Sequence, residues 1–219
     1  MALAFADIDG RHPRVPWNAS ELEATLSSLA ELAAAVTPPP LADLPDLPAL
    51  VADDFAGWPR VAADPPVDVD PWLVANLPEL TERAATGVAA LAGNTLVHMD
   101  IRVDNLLLDR DGRVWVVDWP WACRGAAWAD SLLLLASVVD HTNLTDIDAR
   151  VDRILAEHGL SPQVGTDVLS GFVSFFVDAA RHPDQPGLGP VQEHRRTRAA
   201  YTVPLLRKRI EEEATGGRS

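Results

Sequence analysis

At 219 residues, 47% hydrophobic and 23% charged, the chain has room for one large domain or two small ones with ample core, and its composition excludes a disordered or fibrous protein. A formal charge of −14 argues against unassisted binding to nucleic acid or to an anionic membrane, both of which need a cationic face, and would draw in a cationic substrate. Cys123, the single cysteine, excludes an intrachain disulfide and a multi-cysteine metal site, and reads as a small core filler.

From the N-terminus, Met1 to Asp7 carries no basic stretch ahead of its apolar residues, so no signal peptide is expected and the expected location is cytoplasmic. Residues 3 to 8 suggest a short extended segment turning at Asp9-Gly10. Ser20 with Glu23 predicts a capping box, and Leu22, Leu26, Leu29, Ala33 and Val36 share one helical face before Pro38-Pro39-Pro40 ends the helix. Residues 38–71 hold nine of the eighteen prolines and seven aspartates (Asp43, Asp46, Asp53, Asp54, Asp64, Asp68, Asp70) against Arg60 alone. This Pro/Asp-rich excursion predicts irregular or partly helical chain, favoured as a solvated surface loop, with an acidic wall for a polyamine-like substrate as the second reading.

Asp70-Pro71 predicts a helix start, with helical pattern from about Trp72 to Leu91, an adjustment at Pro78 and a stop at Gly93-Asn94. Leu96 to Leu108 is a loop motif between two apolar stretches, and Asp109-Arg110-Asp111-Gly112 predicts the turn of a β-hairpin whose return strand is Val114 to Val117. Beyond Trp128 the pattern is helical over about 129–140, 146–158, 163–181 and 191–213, punctuated by Gly159, Pro162, residues 183–190 and Gly216. The longest apolar run, Leu132 to Val139, is too short to span a bilayer and reads as a buried helix.

The chemistry concentrates in His98-Met99-Asp100-Ile101-Arg102-Val103-Asp104-Asn105, followed by the strand that ends in Asp118-Trp119. Phosphoryl transfer to a hydroxyl needs aligned oxygens, neutralised phosphate charge and a destination for the hydroxyl proton. An H-x-D-x-x-x-x-N loop followed by an apolar strand ending in Asp supplies part of this: Asp100 accepts the proton or orients the hydroxyl, and Asn105 and Asp118 offer oxygen ligands to magnesium. Arg102 would reach the transferring phosphoryl, His98 would fix the loop backbone through its ring nitrogens, and Asp104 reads as a turn residue.

These residues, with Gly125 and Asp130 opening an apolar helix, resemble the aminoglycoside phosphotransferase family, whose members typically read H-G-D-x-x-x-x-N and then I-D-W or I-D-F. The resemblance implies a protein-kinase-like fold, Mg2+, ATP or GTP as phosphoryl donor, and a small-molecule hydroxyl as acceptor, aminoglycoside-like by family. It also implies support of the loop by Asp130 alongside His98. The expected fold class is α+β, mainly α-helical: residues 1–15 as the remnant of the hinge or connector, and residues 16–219 as the helical C-terminal lobe.

Two departures stand out. Met99 replaces the usual Gly, and the N-terminal nucleotide-binding lobe is expected to be absent, since too few residues precede Asp7 and the only lysine, Lys208, lies near the C-terminus. The chain would then be a fragment, a product of a start assigned too far downstream, or a reduced relative with little activity alone. The alternative function is a non-catalytic half-kinase that binds a small molecule or partner. A metallohydrolase using His98, Asp100, Asp104 and Asp118 is weaker, because the other histidines lack ligand spacing, and no G-x-S-x-G supports a serine hydrolase. Gly187-Leu188-Gly189 follows no strand and lacks the third Gly of a nucleotide fingerprint. Trp115, Trp119, Trp121 and Trp128 are expected to pack, and Arg195, Arg196 and Arg198 to pair at the surface with Glu193 and Glu211 to Glu213.

Overall fold

Caps and breakers set the helices. The computed structural model describes residues 7–66, 69–138, 146–182 and 189–216. Helix α1 (Ala19–Ala35) opens at Asn18, whose Oδ1 accepts the Glu21 N–H at 3.0 Å and the Ser20 hydroxyl at 2.7 Å. The cap is therefore Asn18 rather than Ser20, because the Ser20 hydroxyl is spent on Asn18. Glu23 closes no capping box and instead meets Arg150 and Arg153.

The 38–71 excursion departs most from expectation. It folds into α2 (Leu47–Val51), a 3₁₀ turn (Asp54–Ala56) and α3 (Gly57–Ala63), and buries Leu47, Val51, Phe55, Trp58 and Val61. Two serines of helix α7 (Pro162–Ala180) hold it down. Trp58 Nε1 donates to the Ser170 carbonyl and hydroxyl, both at 3.1 Å, and Ser174 donates to the Phe55 carbonyl at 2.8 Å. A solvated loop would leave these apolar groups in water; packing them against α7 removes them from it.

Asp70 caps α4 (Pro71–Ala90) as predicted, accepting the Trp72 N–H at 2.9 Å. Helices α5 (Ala129–Val138), α6 (Ile147–Glu157), α7 and α8 (Gly189–Ala214) follow, within a few residues of the expected bounds. Residues 139–140 at the end of the apolar run, 183–188 in the punctuating stretch, and Asp68 lie outside the described residues. Helix α7 is the central element, with α4 crossing it at Gly87, where an added Cβ would overlap the Asp167 carbonyl.

Two small antiparallel sheets complete this mainly helical α+β architecture. β1 (Gly10–Arg11) and β4 (Val114–Val116) flank β3 (Leu106–Asp109), and β2 (Thr95–Val97) pairs with β5 (Cys123–Gly125). The hairpin turn forms as predicted: Asp109 Oδ1 accepts the amides of Asp111 and Arg113 at 3.0 and 2.9 Å, and Gly112 takes φ +80°. Gly10, expected in a turn, is strand, because its neighbour β3 offers a free edge; residues 3–6 of the expected extended segment lie outside the described residues. Cys123 is fully buried and its thiol is pushed up to about 12 by burial, with Asp130 adding repulsion, which suits a core filler. No helix among the described residues is long and apolar enough to cross a membrane.

Candidate active site

The loop between β2 and β3 is built from its backbone outward. Asp130, in the first turn of α5, accepts the amide of His98 at 2.8 Å and that of Met99 at 2.9 Å. Burial pushes the Asp130 carboxyl up, while those two amides and His98 oppose the shift. Met99 has φ 71°, a left-handed conformation that costs a residue with a Cβ roughly 1–2 kcal/mol and a Gly almost nothing. The loop therefore keeps a conformation suited to Gly while carrying a longer side chain.

His98 is fully buried and both ring nitrogens are engaged. The Asp100 amide donates to Nδ1 at 3.2 Å and Nε2 faces the Val117 carbonyl at 2.9 Å, an arrangement that assigns the proton to Nε2. The ring edge rests against Trp119 with centroids 4.7 Å apart. This occupation takes His98 away from metal ligation, and among the described residues no group of three or more His, Cys, Asp or Glu side chains clusters as a metal site. With both nitrogens spent on the backbone, His98 is not placed to serve a metallohydrolase centre.

Asn105 is buried at the end of a 3₁₀ turn. Its Nδ2 donates to the Asp100 carbonyl at 2.8 Å and reaches Asp100 Oδ2 at 3.3 Å, while its backbone carbonyl accepts the Val117 amide at 3.0 Å. The amide oxygen of Asn105 is thus the atom left for an ion. Asp118 follows β4 in a left-handed conformation, φ 61°, and its exposed carboxylate has no hydrogen bond or ion pair among the described residues. Arg102 Nε lies 3.7 Å from Asp100 Oδ1, and the guanidinium grips Asp104 through two bonds of 3.1 and 2.7 Å. Burial pulls the Asp104 carboxyl up, but Arg102 outweighs it and holds the group below the usual carboxylate range. Asp104 is therefore the anchor of Arg102 rather than a turn residue alone.

Beside Asp100 opens a cleft of about 430 Å³, within the range of small-molecule pockets, roughly 300–1,000 Å³. Met99 to Arg102 form one wall, and Phe55, Leu133 and the aromatic face of α7 (Phe172, Phe175, Phe176) form others. The F-V-S-F-F run at 172–176, with aromatics three and four apart, was the sequence signal for this face. Trp121 stands at the cleft 59% exposed, whereas Trp128 is buried, Trp115 donates to Asp109 Oδ2 at 2.9 Å and Trp119 to the Val116 carbonyl at 3.1 Å. Packing thus accounts for three of these four tryptophans and not for Trp121.

Two charge expectations meet the structure here. Among the described residues no acidic wall lines the cleft: Asp46 pairs with Arg124, Asp53 with Arg60, Asp64 with Arg181 and Asp70 with Arg207, and Asp54 is the acid of that segment in the described lining. Arg196 pairs with Glu193 at 3.4 Å, and Arg195 and Arg198 lie in the cleft lining rather than at the open surface, because α8 turns that face inward against α7.

The donor set fits magnesium. One amide oxygen and one free carboxylate are too few to cage an ion, and suit a hard cation that keeps water and phosphate oxygens as its other ligands.

Comparison with known proteins agrees with this geometry. A family model for the phosphotransferase enzyme family matches residues 2–166, a span that contains the loop, the hairpin and α5. Among solved structures, the crystal structure of an aminoglycoside phosphotransferase from Alicyclobacillus acidocaldarius subsp. acidocaldarius DSM 446 has the same fold. Its TM-score is 0.58 at 16% sequence identity, over 94% of this chain and 70% of that one. No curated protein matches. With the family model covering well over half of its length, the chain belongs to the phosphotransferase enzyme family.

Proposed function

We propose that this chain, as the C-terminal lobe of a protein-kinase-like fold, transfers the terminal phosphoryl group of ATP or GTP to a hydroxyl of a small molecule. The observation that carries the reading is the placement of Asp100 on the cleft wall with its backbone held by Asn105 and by His98. An acceptor hydroxyl in the cleft gives its proton to the Asp100 carboxylate. Its oxygen forms a bond to the γ-phosphorus, the bond to the β,γ-bridging oxygen breaks, and the nucleoside diphosphate leaves. Asn105 Oδ1 and the Asp118 carboxylate would hold magnesium, which when bound supplies neutralisation of phosphate charge. Arg102, kept extended by Asp104, faces the transferring group, while His98 and Asp130 position the loop. A non-catalytic binding module has no observation of its own in its favour.

Titration calorimetry tests the site. ATP should bind in a magnesium-dependent manner, and Asp118→Ala should weaken that binding tenfold or more; binding indifferent to magnesium overturns the reading. Asp100→Asn should keep nucleotide binding and lower the transfer rate by about 10²–10⁴, the usual size of a general-base contribution.

A further inference from the structure

The charges on the cleft wall are answered from within the protein. Arg102 grips Asp104 and lies 3.7 Å from Asp100. Arg198 is buried and has a partner, and the His194 ring stands edge-on to Phe176. Burial pushes the Asp54 carboxyl up, Asp53 adds repulsion, and Arg60 and Arg195 oppose both, so Asp54 and Arg195 offset one another. The Ser137 hydroxyl is spent on the Leu134 carbonyl at 2.8 Å. Among the described lining residues, neither a polycation nor an anion meets a counter-charge that is still unanswered, apart from the Asp100 carboxylate that the transfer step itself uses.

What the cleft does offer is apolar surface. Of the seven large apolar side chains exposed among the described residues, Leu50, Trp121 and Val191 stand at this one cleft, and clustering of that kind marks a binding groove. Phe172 and Phe175 each meet Phe176 edge to face with ring centres 4.9 Å apart, a flat and rigid wall on which a ring system stacks at little entropic cost. Met99 adds the apolar group next in sequence to Asp100: it lines the cleft while packing against the main core. The backbone there is left-handed, φ 71°, a conformation that Gly holds at less cost, so the loop keeps a side chain that its own conformation disfavours. A thioether is polarisable and fits itself to aromatic surfaces, a gain that a ring bound in the cleft would bring.

Resting on the phosphoryl-transfer reading, we propose that the acceptor is an uncharged alcohol with a flat, apolar ring body, and that Met99 selects it: the body lies on the α7 aromatics and against the Met99 thioether, and the hydroxyl is carried to Asp100. A charged relative of the same shape gives up water on entering and gains no partner for its charge.

Three matched probes decide it: naphthalenemethanol, and the same alcohol bearing a carboxylate or an aminomethyl group on the far ring, titrated calorimetrically into the whole chain without nucleotide. The neutral alcohol should bind at least tenfold more tightly than either charged one. Met99→Gly should weaken the neutral alcohol about fivefold, and Met99→Leu should keep most of the affinity. Both variants should remain folded by circular dichroism, since Gly suits the left-handed backbone and Leu keeps an apolar group there. A charged probe that binds as tightly as the neutral one, full affinity in Met99→Gly, or no binding by any probe overturns the proposal. Adding magnesium and ATP reads the chemistry separately. Neutral-selective binding without a phosphate monoester sustains the ligand class and overturns the phosphoryl-transfer reading, whereas a monoester formed faster on a charged probe sustains transfer and overturns the uncharged acceptor.

Discussion

The amides of His98 and Met99 both end on one buried carboxylate, and the orientation of the loop hangs on that pair of bonds. Asp130→Asn keeps the shape but turns one acceptor into a donor facing an N–H. The expected cost is about 1–3 kcal/mol in stability by urea melting, with a fall in turnover as Asp100 shifts, while Glu in place of Asp130 should not restore either. An unchanged melt would show that these bonds carry little. The motif H-x-D-x-x-x-x-N made His98, Asp100, Arg102 and Asn105 candidates from sequence, and the fold gathers them in one loop beside Asp118 and Asp130. What the sequence left unread was the partner of Arg102. Arg102 stands just ahead of the 3₁₀ turn Val103–Asn105, and that turn, which no strand alternation describes, brings Asp104 to its guanidinium as an anchor.

At the scale of elements, the excursion between α1 and α4 shows how composition can hide periodicity. Leu47, Val51, Phe55, Trp58 and Val61 fall three and four apart and are all buried, yet nine prolines and seven aspartates surround them over 38–71. Proline at the first turn of a helix breaks nothing, and Pro48 sits there in α2. The helical stripe was therefore legible to spacing and obscured by residue counts. Trp58→Ala should cost about 3–5 kcal/mol through the lost indole volume, measurable as a lower urea midpoint, and should loosen Phe55 at the cleft wall. The crossing of α4 on α7 is equally specific: Gly87→Ala forces backbone apart at Asp167 and should lower stability by about 1–3 kcal/mol in the same assay. Strand β5 left no signal, since Cys123-Arg124-Gly125 is too short for its alternation to be read and it owes its extended form to β2.

Across the whole molecule, net charge proved a poor guide to local charge. Many of the acids are drawn into pairs that tie elements together, and of those in 38–71 Asp54 is the one that lines the cleft among the described residues. Asp178 is one such tie: burial pulls its carboxyl up, but Arg181 and Arg60, each with Nε at 2.6 Å, outweigh burial and hold it below the usual range. A depressed native value stabilises the fold above the unfolded value, about 3.9, and that contribution disappears as pH falls through the native one. Stability measured from about pH 5 downward should therefore fall less steeply in Asp178→Asn than in the parent, with the parent's advantage present at pH 7 and absent once the group is protonated. Seven tryptophans are spread through the chain, and Trp121 at the cleft is the exposed one. Its indole emits from water while the cleft is vacant, so a molecule arriving there should turn its fluorescence bluer and shelter it from iodide, and Trp121→Phe should silence that signal: the protein carries its own optical gauge of occupancy.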